Sequence, residues 1–120
     1  MKTFSSLTFQ ELSVYNPFGY KSRPKYVETS EAINVAAGIA NGLKKKFNEK
    51  KVVLFGSLAT MEFTEGSDID IAVWGIPYNS FFKAVAFAAG SSKKFKVDLV
   101  DAQDASDSLL DSIKLDGIEI

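Results

Sequence analysis

Two short apolar runs on either side of a Gly-Ser pair constrain the fold of this chain more than any other stretch. The first run, Val52–Phe55, is uninterrupted and ends at Gly56, as expected for a strand that a sheet buries on both faces. The second run alternates three apolar residues with two carboxylates and an alanine: Ile69, Ile71 and Val73 against Asp68, Asp70 and Ala72. Because neighbouring side chains of a strand point to opposite faces, one face of this strand enters a core and the other presents acidic groups.

Helical periodicity occurs before and after these two strands. Apolar positions at helical spacing predict a first helix that begins with Ser30 as its N-cap and ends near Phe47, where lysines at 44–46 suit a helix C-terminus. A second helix is predicted to start between Pro77 and Ser80 and to run to about Ala89, where Gly90 follows as a stop signal.

The last part of the chain completes a small sheet. A third strand is predicted over Phe95–Val100, and a last helix runs from about Ser106 to Leu115 and closes at Gly117. Residues 118–120 are expected to form a short edge strand. The order helix, strand, strand, helix, strand, helix predicts an α/β (α+β) fold with a small mixed sheet flanked by helices.

The length of the chain allows one compact domain. With 120 residues, 46% hydrophobic and 24% charged, there is no room for a second full domain. Residues 1–27 have no clear period but contain turn formers and many aromatic residues, so we interpret them as an extension. We expect it to pack as a strap on its own domain, with docking to a partner as the alternative. Residues 28–120 then form the domain itself.

Composition excludes several classes of function. The chain has no cysteine and no histidine, which removes disulfides, thiol nucleophiles, the usual zinc sites and imidazole bases. A net charge of -1 gives no bulk attraction to a nucleic acid or an anionic membrane, so no direct nucleic-acid binding is expected. No apolar stretch approaches the roughly 20 residues of a membrane helix, and the N-terminus lacks the apolar core of a signal peptide. We therefore expect a cytoplasmic protein that does not bind membranes.

Three carboxylates are predicted to gather on one face of the sheet. Asp68 and Asp70 project from the same side of their strand, about 6 to 7 Å apart, and Asp98 on the third strand can lie beside them. Neighbouring negative charges raise at least one pKa unless a cation lies among them. An oxygen-only ligand set suits Mg²⁺ or Mn²⁺, which bind through few carboxylates and substrate phosphates. Asp101 is the runner-up for the third position, although strand alternation places it on the face opposite Asp98.

The Gly-Ser pair supplies groups that can bind phosphate. Gly56 lets the backbone turn tightly and approach a ligand, and the amides of the following turn, with the Ser57 hydroxyl, can hold phosphate oxygens. Lys96 shares the strand face of Asp98 and could also reach a triphosphate. A phosphate-binding turn beside clustered carboxylates and a metal indicates nucleotidyl chemistry.

The motif formed by Gly56-Ser57 and Asp68-Ile69-Asp70 resembles the signature of the DNA polymerase β-like nucleotidyltransferase superfamily. The chain is most similar to the minimal nucleotidyltransferases of that superfamily, over roughly residues 30–120. The similarity also includes two residues outside the motif: Ser67, and Asp98 in the sequence KVDLVD. Members of the family often carry a small residue, glycine or arginine soon after the Gly-Ser pair. This chain departs from them there, with Thr60 and Met61.

The resemblance implies transfer of AMP from ATP to an acceptor hydroxyl, with Mg²⁺ or Mn²⁺ as cofactor. Asp68 and Asp70 would bind two metal ions, and Asp98 would join one of them and accept the proton. The residues implied in nucleotide and phosphate binding are Gly56, Ser57 and Ser67.

The small size of the domain leaves little room for an acceptor pocket, so we expect the acceptor to come from another chain. Many minimal members of the family are paired with HEPN-domain ribonuclease toxins and act as antitoxins, by AMP transfer or by binding. The resemblance therefore implies a HEPN-type toxin as partner, with a homodimer as another arrangement. Two alternatives stay open: a catalytically weakened binding module that neutralises a partner without chemistry, and adenylylation of a small molecule, which in the family normally needs an added helical domain.

Overall fold

The computed structural model describes the backbone of residues 2–3 and 23–120, and the side chains from residue 29 onward. The helices are α1 (Arg23–Phe47), α2 (Gly56–Ala59), α3 (Tyr78–Gly90) and α4 (Asp107–Asp116). The strands are β1 (Lys2–Thr3), β2 (Val52–Phe55), β3 (Ile69–Val73), β4 (Val97–Asp101) and β5 (Ile118–Glu119). The 3₁₀ turn Ala102–Asp104 links β4 to α4.

The strands form one mixed sheet in the order β1-β5-β2-β3-β4. The central pair β2 and β3 is antiparallel, and β3 and β4 are parallel. Helix α3 makes the crossover that a parallel pair requires. At the other side, β5 pairs antiparallel with β2 and parallel with β1. The predicted fold class, a small mixed sheet flanked by helices, is confirmed.

The two faces of the sheet are covered by different helices. On one face, α1 and α3 pack against the larger core, which includes Leu43, Leu54 and Ile71, all fully buried. On the other face, α4 covers a smaller core around Val53 and Ile113. Asp70 and Asp98 lie on this second face, near the starts of β3 and β4, and are partly exposed.

Most predicted elements are confirmed within one or two residues. Strand β2 has the predicted bounds, and α3 follows Pro77 as its N-cap. Helix α4 follows Ser106, whose hydroxyl accepts the backbone N–H of Leu109 at 3.3 Å, and is capped by Gly117. In each case the sequence carries a local stop or start signal that agrees with the packing.

Two predictions are wrong. Helix α1 begins at Arg23, so Ser30 lies inside the helix and is not its N-cap. Pro24 was interpreted as a turn former, but proline is also tolerated in the first turn of a helix. The N–H groups of that turn have no helical acceptor, so the missing N–H of proline costs nothing there. Strand β5 is not an edge strand, because β1 pairs with it on its outer side. The aromatic side chains of the predicted extension lie outside the described residues, and the boundary between residues 27 and 28 stays a prediction.

The aromatic helix α3 has both a buried and an open side. Phe81 and Phe87 pack against the larger core and are half-buried. Phe82 is 66% exposed and makes an edge-to-face contact with Tyr78, which is 79% exposed, at a centroid distance of 5.8 Å. The larger core therefore covers one side of this helix only. In the described part of the chain, no helix is long and apolar enough to cross a membrane.

Two glycines of α1 allow a matched test of the packing between α1 and α3. A Cβ on Gly42 would collide with the ring of Phe87, whereas a Cβ on Gly38 meets no atom within 4 Å. Gly38→Ala should raise the free energy of unfolding by about 0.5 to 1 kcal/mol, because alanine favours helix. Gly42→Ala should lower it by about 1 kcal/mol or more, since overpacking outweighs the same propensity gain. Urea unfolding of both variants measures the difference, and equal stabilisation would contradict the packing described here.

Candidate active site

The register of β3 and β4 brings two of the predicted carboxylates side by side. Asp70 is the direct partner of Asp98 across this parallel pair, so both side chains lie on the same face. Asp68 precedes Asp70 by two positions and shares that face. Asp101 is in register with Val73, which belongs to the larger core on the other face. Asp70 and Asp98 are thus brought together on one face, the charge of Asp68 acts on Asp70 from the residue before β3, and the runner-up lies on the other face.

Asp101 has a separate structural role. Its carboxylate accepts the backbone N–H of Gln103 at 3.0 Å and so caps the 3₁₀ turn that leads to α4. This local bond explains the aspartate at a position that does not face the site.

Gly56 provides the space that the carboxylate of Asp70 occupies. Its φ is +74°, a left-handed conformation that favours glycine. A Cβ at this position would collide with Oδ2 of Asp70, which is the nearest atom to it. Phe55 and Asp70 are partners in the β2–β3 register, so the turn after β2 lies directly beside the carboxylate. Glycine is therefore needed both for the backbone and for the approach of Asp70.

The backbone after Gly56 forms one helical turn and then reverses. Ser57 lies in this turn, and its carbonyl accepts the backbone N–H of Glu62 at 2.8 Å. The hydroxyl of Thr60 donates back to the carbonyl of Gly56 at 3.3 Å, and Met61 takes a positive φ of 65°. Thr60 and Met61, at which the chain departs from the resemblance described above, end this turn.

The environment of Asp70 raises its pKa from 3.8 to about 6. Burial beneath neighbouring groups is the largest cause, followed by the negative charges of Asp98 and then Asp68. The predicted repulsion among the carboxylates is therefore present, and the pKa that it raises is that of Asp70.

The other two predicted residues near Asp70 have partners in the chain. Asp68 forms an ion pair with Lys96, with Nζ and Oδ2 separated by 3.8 Å. Ser67 exchanges hydrogen bonds with Thr64: its hydroxyl accepts the Thr64 N–H at 3.1 Å and lies 3.1 Å from the Thr64 hydroxyl. Ser67 thus closes the turn before β3, and a role in phosphate binding stays a prediction.

Two clefts flank this group of residues. The first, of about 430 Å³, lies at the start of β3 and β4 and is lined by residues that include Ser67, Asp68 and Lys96. The second, of about 560 Å³, lies between α2 and α4 and includes Gly56 and Ser57. The lining of the second cleft also includes four residues that the sequence did not point to: Glu62, Leu109, Ser112 and Asp116. Those on α4 belong to no motif, so only the packing of α4 could reveal them.

The three aspartates offer the type of ligand that a hard cation requires. They supply oxygen ligands alone, and their mutual repulsion at Asp70 is what a bound cation would relieve. Within the described residues, however, no three acidic side chains already form a metal-binding group. Asp70 and Asp98 are neighbours in register, whereas the carboxylate of Asp68 is engaged with Lys96.

Comparison with known proteins relates the chain to one family. The family model described as "Polymerase beta, Nucleotidyltransferase" matches residues 38–120. A crystal structure of a toxin-antitoxin with AMP-PNP is similar, with 26% identity, a TM-score of 0.57, and coverage of 68% of this chain and 69% of that chain. A crystal structure of a mutant of the toxin-antitoxin MntA-HpeT shares the fold, with 23% identity, a TM-score of 0.55, and coverage of 76% and 70%. No match was found among curated proteins.

Substitution of Gly56 by alanine tests the approach of Asp70 to the turn. Gly66 is a matched control, because its φ is +86° and a Cβ there meets no atom within 4 Å. Gly66→Ala should cost about 1 to 2 kcal/mol from backbone strain alone. Gly56→Ala should cost at least about 1 kcal/mol more, since it adds the collision with Asp70. The excess should shrink in an Asp70→Ala background, measured by denaturant unfolding. An equal cost at both glycines would show that Asp70 does not crowd Gly56.

The raised pKa of Asp70 predicts a pH dependence of stability. The folded chain holds a proton on Asp70 up to about pH 6, whereas the unfolded chain releases it near pH 4. The free energy of unfolding should therefore fall as pH rises between these values, and stay reduced above pH 6. Asp70→Asn removes this loss, so the variant should melt at a higher temperature than the parent above pH 6. The difference should vanish below pH 4.

The control for this prediction is Asp111→Asn, which removes the same charge from an exposed position on α4. The melting temperature of this variant should vary with pH in the same way as that of the parent chain. If Asp70→Asn lowered the melting temperature at pH 7, Asp70 would have to be a stabilising structural residue.

Proposed function

The chain belongs to the polymerase β nucleotidyltransferase family, and from this we propose that it transfers AMP from ATP to a hydroxyl group of a partner protein. The observation that carries the proposal is the register of Asp70 with Asp98 beside the Gly56 turn. Neighbouring carboxylates next to a backbone turn suit metal-assisted chemistry on a phosphate ester. The similar toxin-antitoxin structure with AMP-PNP supports an adenine nucleotide as the substrate.

Asp68, Asp70 and Asp98 are the residues that would hold Mg²⁺ or Mn²⁺. The metal, when bound, would neutralise phosphate charge and make the acceptor hydroxyl more acidic. Gly56 and Ser57 line the second cleft, where they would hold phosphate oxygens of a bound nucleotide. Ser67 is the third proposed phosphate ligand, and it would have to exchange its bond to Thr64 for one to the nucleotide.

Asp98 is the proposed proton acceptor. Histidine is absent from the chain, and Asp98 lies on the edge strand β4 beside Asp70, where an acceptor can approach. The acceptor oxygen would form a bond to the α-phosphorus while the bond to the bridging oxygen of the β-phosphate breaks. Pyrophosphate would leave, and the hydroxyl proton would pass to Asp98.

The proposed partner is a toxin of the HEPN type, with this chain as a cytoplasmic antitoxin. The similarity to toxin-antitoxin structures supports a protein partner. The clefts beside the carboxylates measure about 430 and 560 Å³, which leaves room for a nucleotide but little for an enclosed acceptor pocket. An acceptor presented by another protein fits such an open site.

One observation favours the second candidate, a binding module that neutralises a partner without chemistry. No three acidic side chains of the described residues form a ready metal-binding group, and Asp68 is paired with Lys96. A chain that had lost catalysis could keep such an arrangement. The two candidates differ in whether the partner gains mass.

Labelled ATP decides between them. With the cognate partner and Mg²⁺ present, ATP labelled at the α-phosphate should mark the partner, whereas ATP labelled at the γ-phosphate should not, because transfer occurs at the α-phosphorus. Mass spectrometry of the partner should show a gain of one or more AMP units. Asp68→Asn should abolish the label, and Asp111→Asn, which removes an exposed charge that lines neither cleft, should retain it.

Label from the γ-position would contradict the proposed reaction. Tight association and loss of the partner's activity without any label would favour the binding module. In that case Thr60 and Met61 would be the first residues to exchange for those of active relatives.

A further inference from the structure

Lys96 lines the first cleft and forms an ion pair with Asp68, one of the proposed metal ligands. Its side chain is 73% exposed, whereas that of Asp68 is 32% exposed, and the two groups are 3.8 Å apart. Its backbone is fixed, because its carbonyl accepts the N–H of Ile69 at 2.9 Å. The backbone of Lys96 is therefore held in place just before β4, whereas its exposed ammonium group can move and lies beside the carboxylate of Asp68.

The neighbouring lysines differ from Lys96 in their contacts. Lys94 lines the same cleft but is bound to Glu31 at 2.7 Å, with its ammonium group also near the Phe95 ring. Lys93 is exposed and does not line the cleft. Within this lysine-rich segment, Lys96 is thus the residue whose charge faces an aspartate of the site.

We propose that Lys96 is a switchable counter-ion: it neutralises Asp68 in the nucleotide-free chain and moves to the phosphates of the nucleotide when a divalent metal binds Asp68. The proposal rests on the proposed function, since it assumes that Asp68 is a metal ligand. It makes Lys96 a nucleotide-binding residue that links metal binding to nucleotide binding.

The geometry of the ion pair supports an exchange. A separation of 3.8 Å at an exposed site is a weak ion pair, worth at most about 1 kcal/mol, so a divalent cation can displace it. The ammonium group and a metal would compete for the same carboxylate, because both neutralise its charge. Once displaced, the group stays tethered beside Ser67 and the cleft, where a phosphate chain held by the metal offers new oxygens.

The exchange predicts effects of opposite sign for one substitution. In Lys96→Met the competitor for Asp68 is absent, so free Mn²⁺ should bind about two- to fivefold more tightly, as measured by electron paramagnetic resonance. The same variant should bind the Mg²⁺ complex of α,β-methylene ATP about three- to tenfold more weakly, as measured by calorimetry, because a charged contact to phosphate is lost. This analogue is not cleaved at the α-phosphorus, so binding is measured without turnover.

Two variants serve as controls. Lys93→Met removes the same charge nearby and should change neither affinity appreciably. Lys96→Arg keeps the cation and should bind both ligands much as the parent chain does. Thermal melts of all variants check the fold, which Lys96→Met should retain because the side chain is exposed.

Failure of this proposal and failure of the proposed function give different results. If the parent chain binds neither Mn²⁺ nor the analogue, the proposed function fails before the variants are compared. If the parent binds both and Lys96→Met leaves either affinity unchanged, or weakens Mn²⁺ binding, the switch is overturned and the proposed function stands.

Discussion

The parallel pairing of β3 with β4 in one register is the constraint on which the rest of the site depends. Two carboxylates become neighbours only because β3 and β4 pair in parallel with this register. The parallel pairing in turn requires the crossover through α3, whose buried side covers the larger core. Gly56 completes the arrangement, because a side chain there would occupy the position of the Asp70 carboxylate. The fold thus keeps a small, charged space beside two tightly packed cores.

This arrangement has an energetic cost that is concentrated on one residue. Burial and the nearby charges of Asp98 and Asp68 both oppose ionisation of Asp70, and the raised pKa measures that opposition. A domain that only needed stability would gain by replacing one of the three carboxylates. A ligand that brings positive charge would relieve the repulsion among them. Lys96 supplies part of that charge at Asp68, at a distance and exposure that make the contact weak.

Local signals in the sequence were sufficient for most of the elements. The helix stops and starts around Pro77, Ser106 and Gly117 could be predicted because the cap residues agree with the tertiary packing. The start of α1 could not, because Pro24 is compatible with both a turn and a first helical turn. The interior position of β5 also escaped prediction, since its pairing with β1 joins segments far apart in the chain.

The sequence by itself determined which residues could act: the Gly-Ser turn and the alternating aspartates follow from short-range rules of strand geometry and backbone freedom. The same alternation predicted that Asp98 and Asp101 lie on opposite faces of the sheet. Only the tertiary structure decided that Asp98 is the partner of Asp70, that Asp68 is paired with Lys96, and that α4 forms one wall of a cleft beside Ser57. The physical reason is that periodicity assigns a residue to a face of its own element. Register, burial and charge neighbours depend on how separate elements pack.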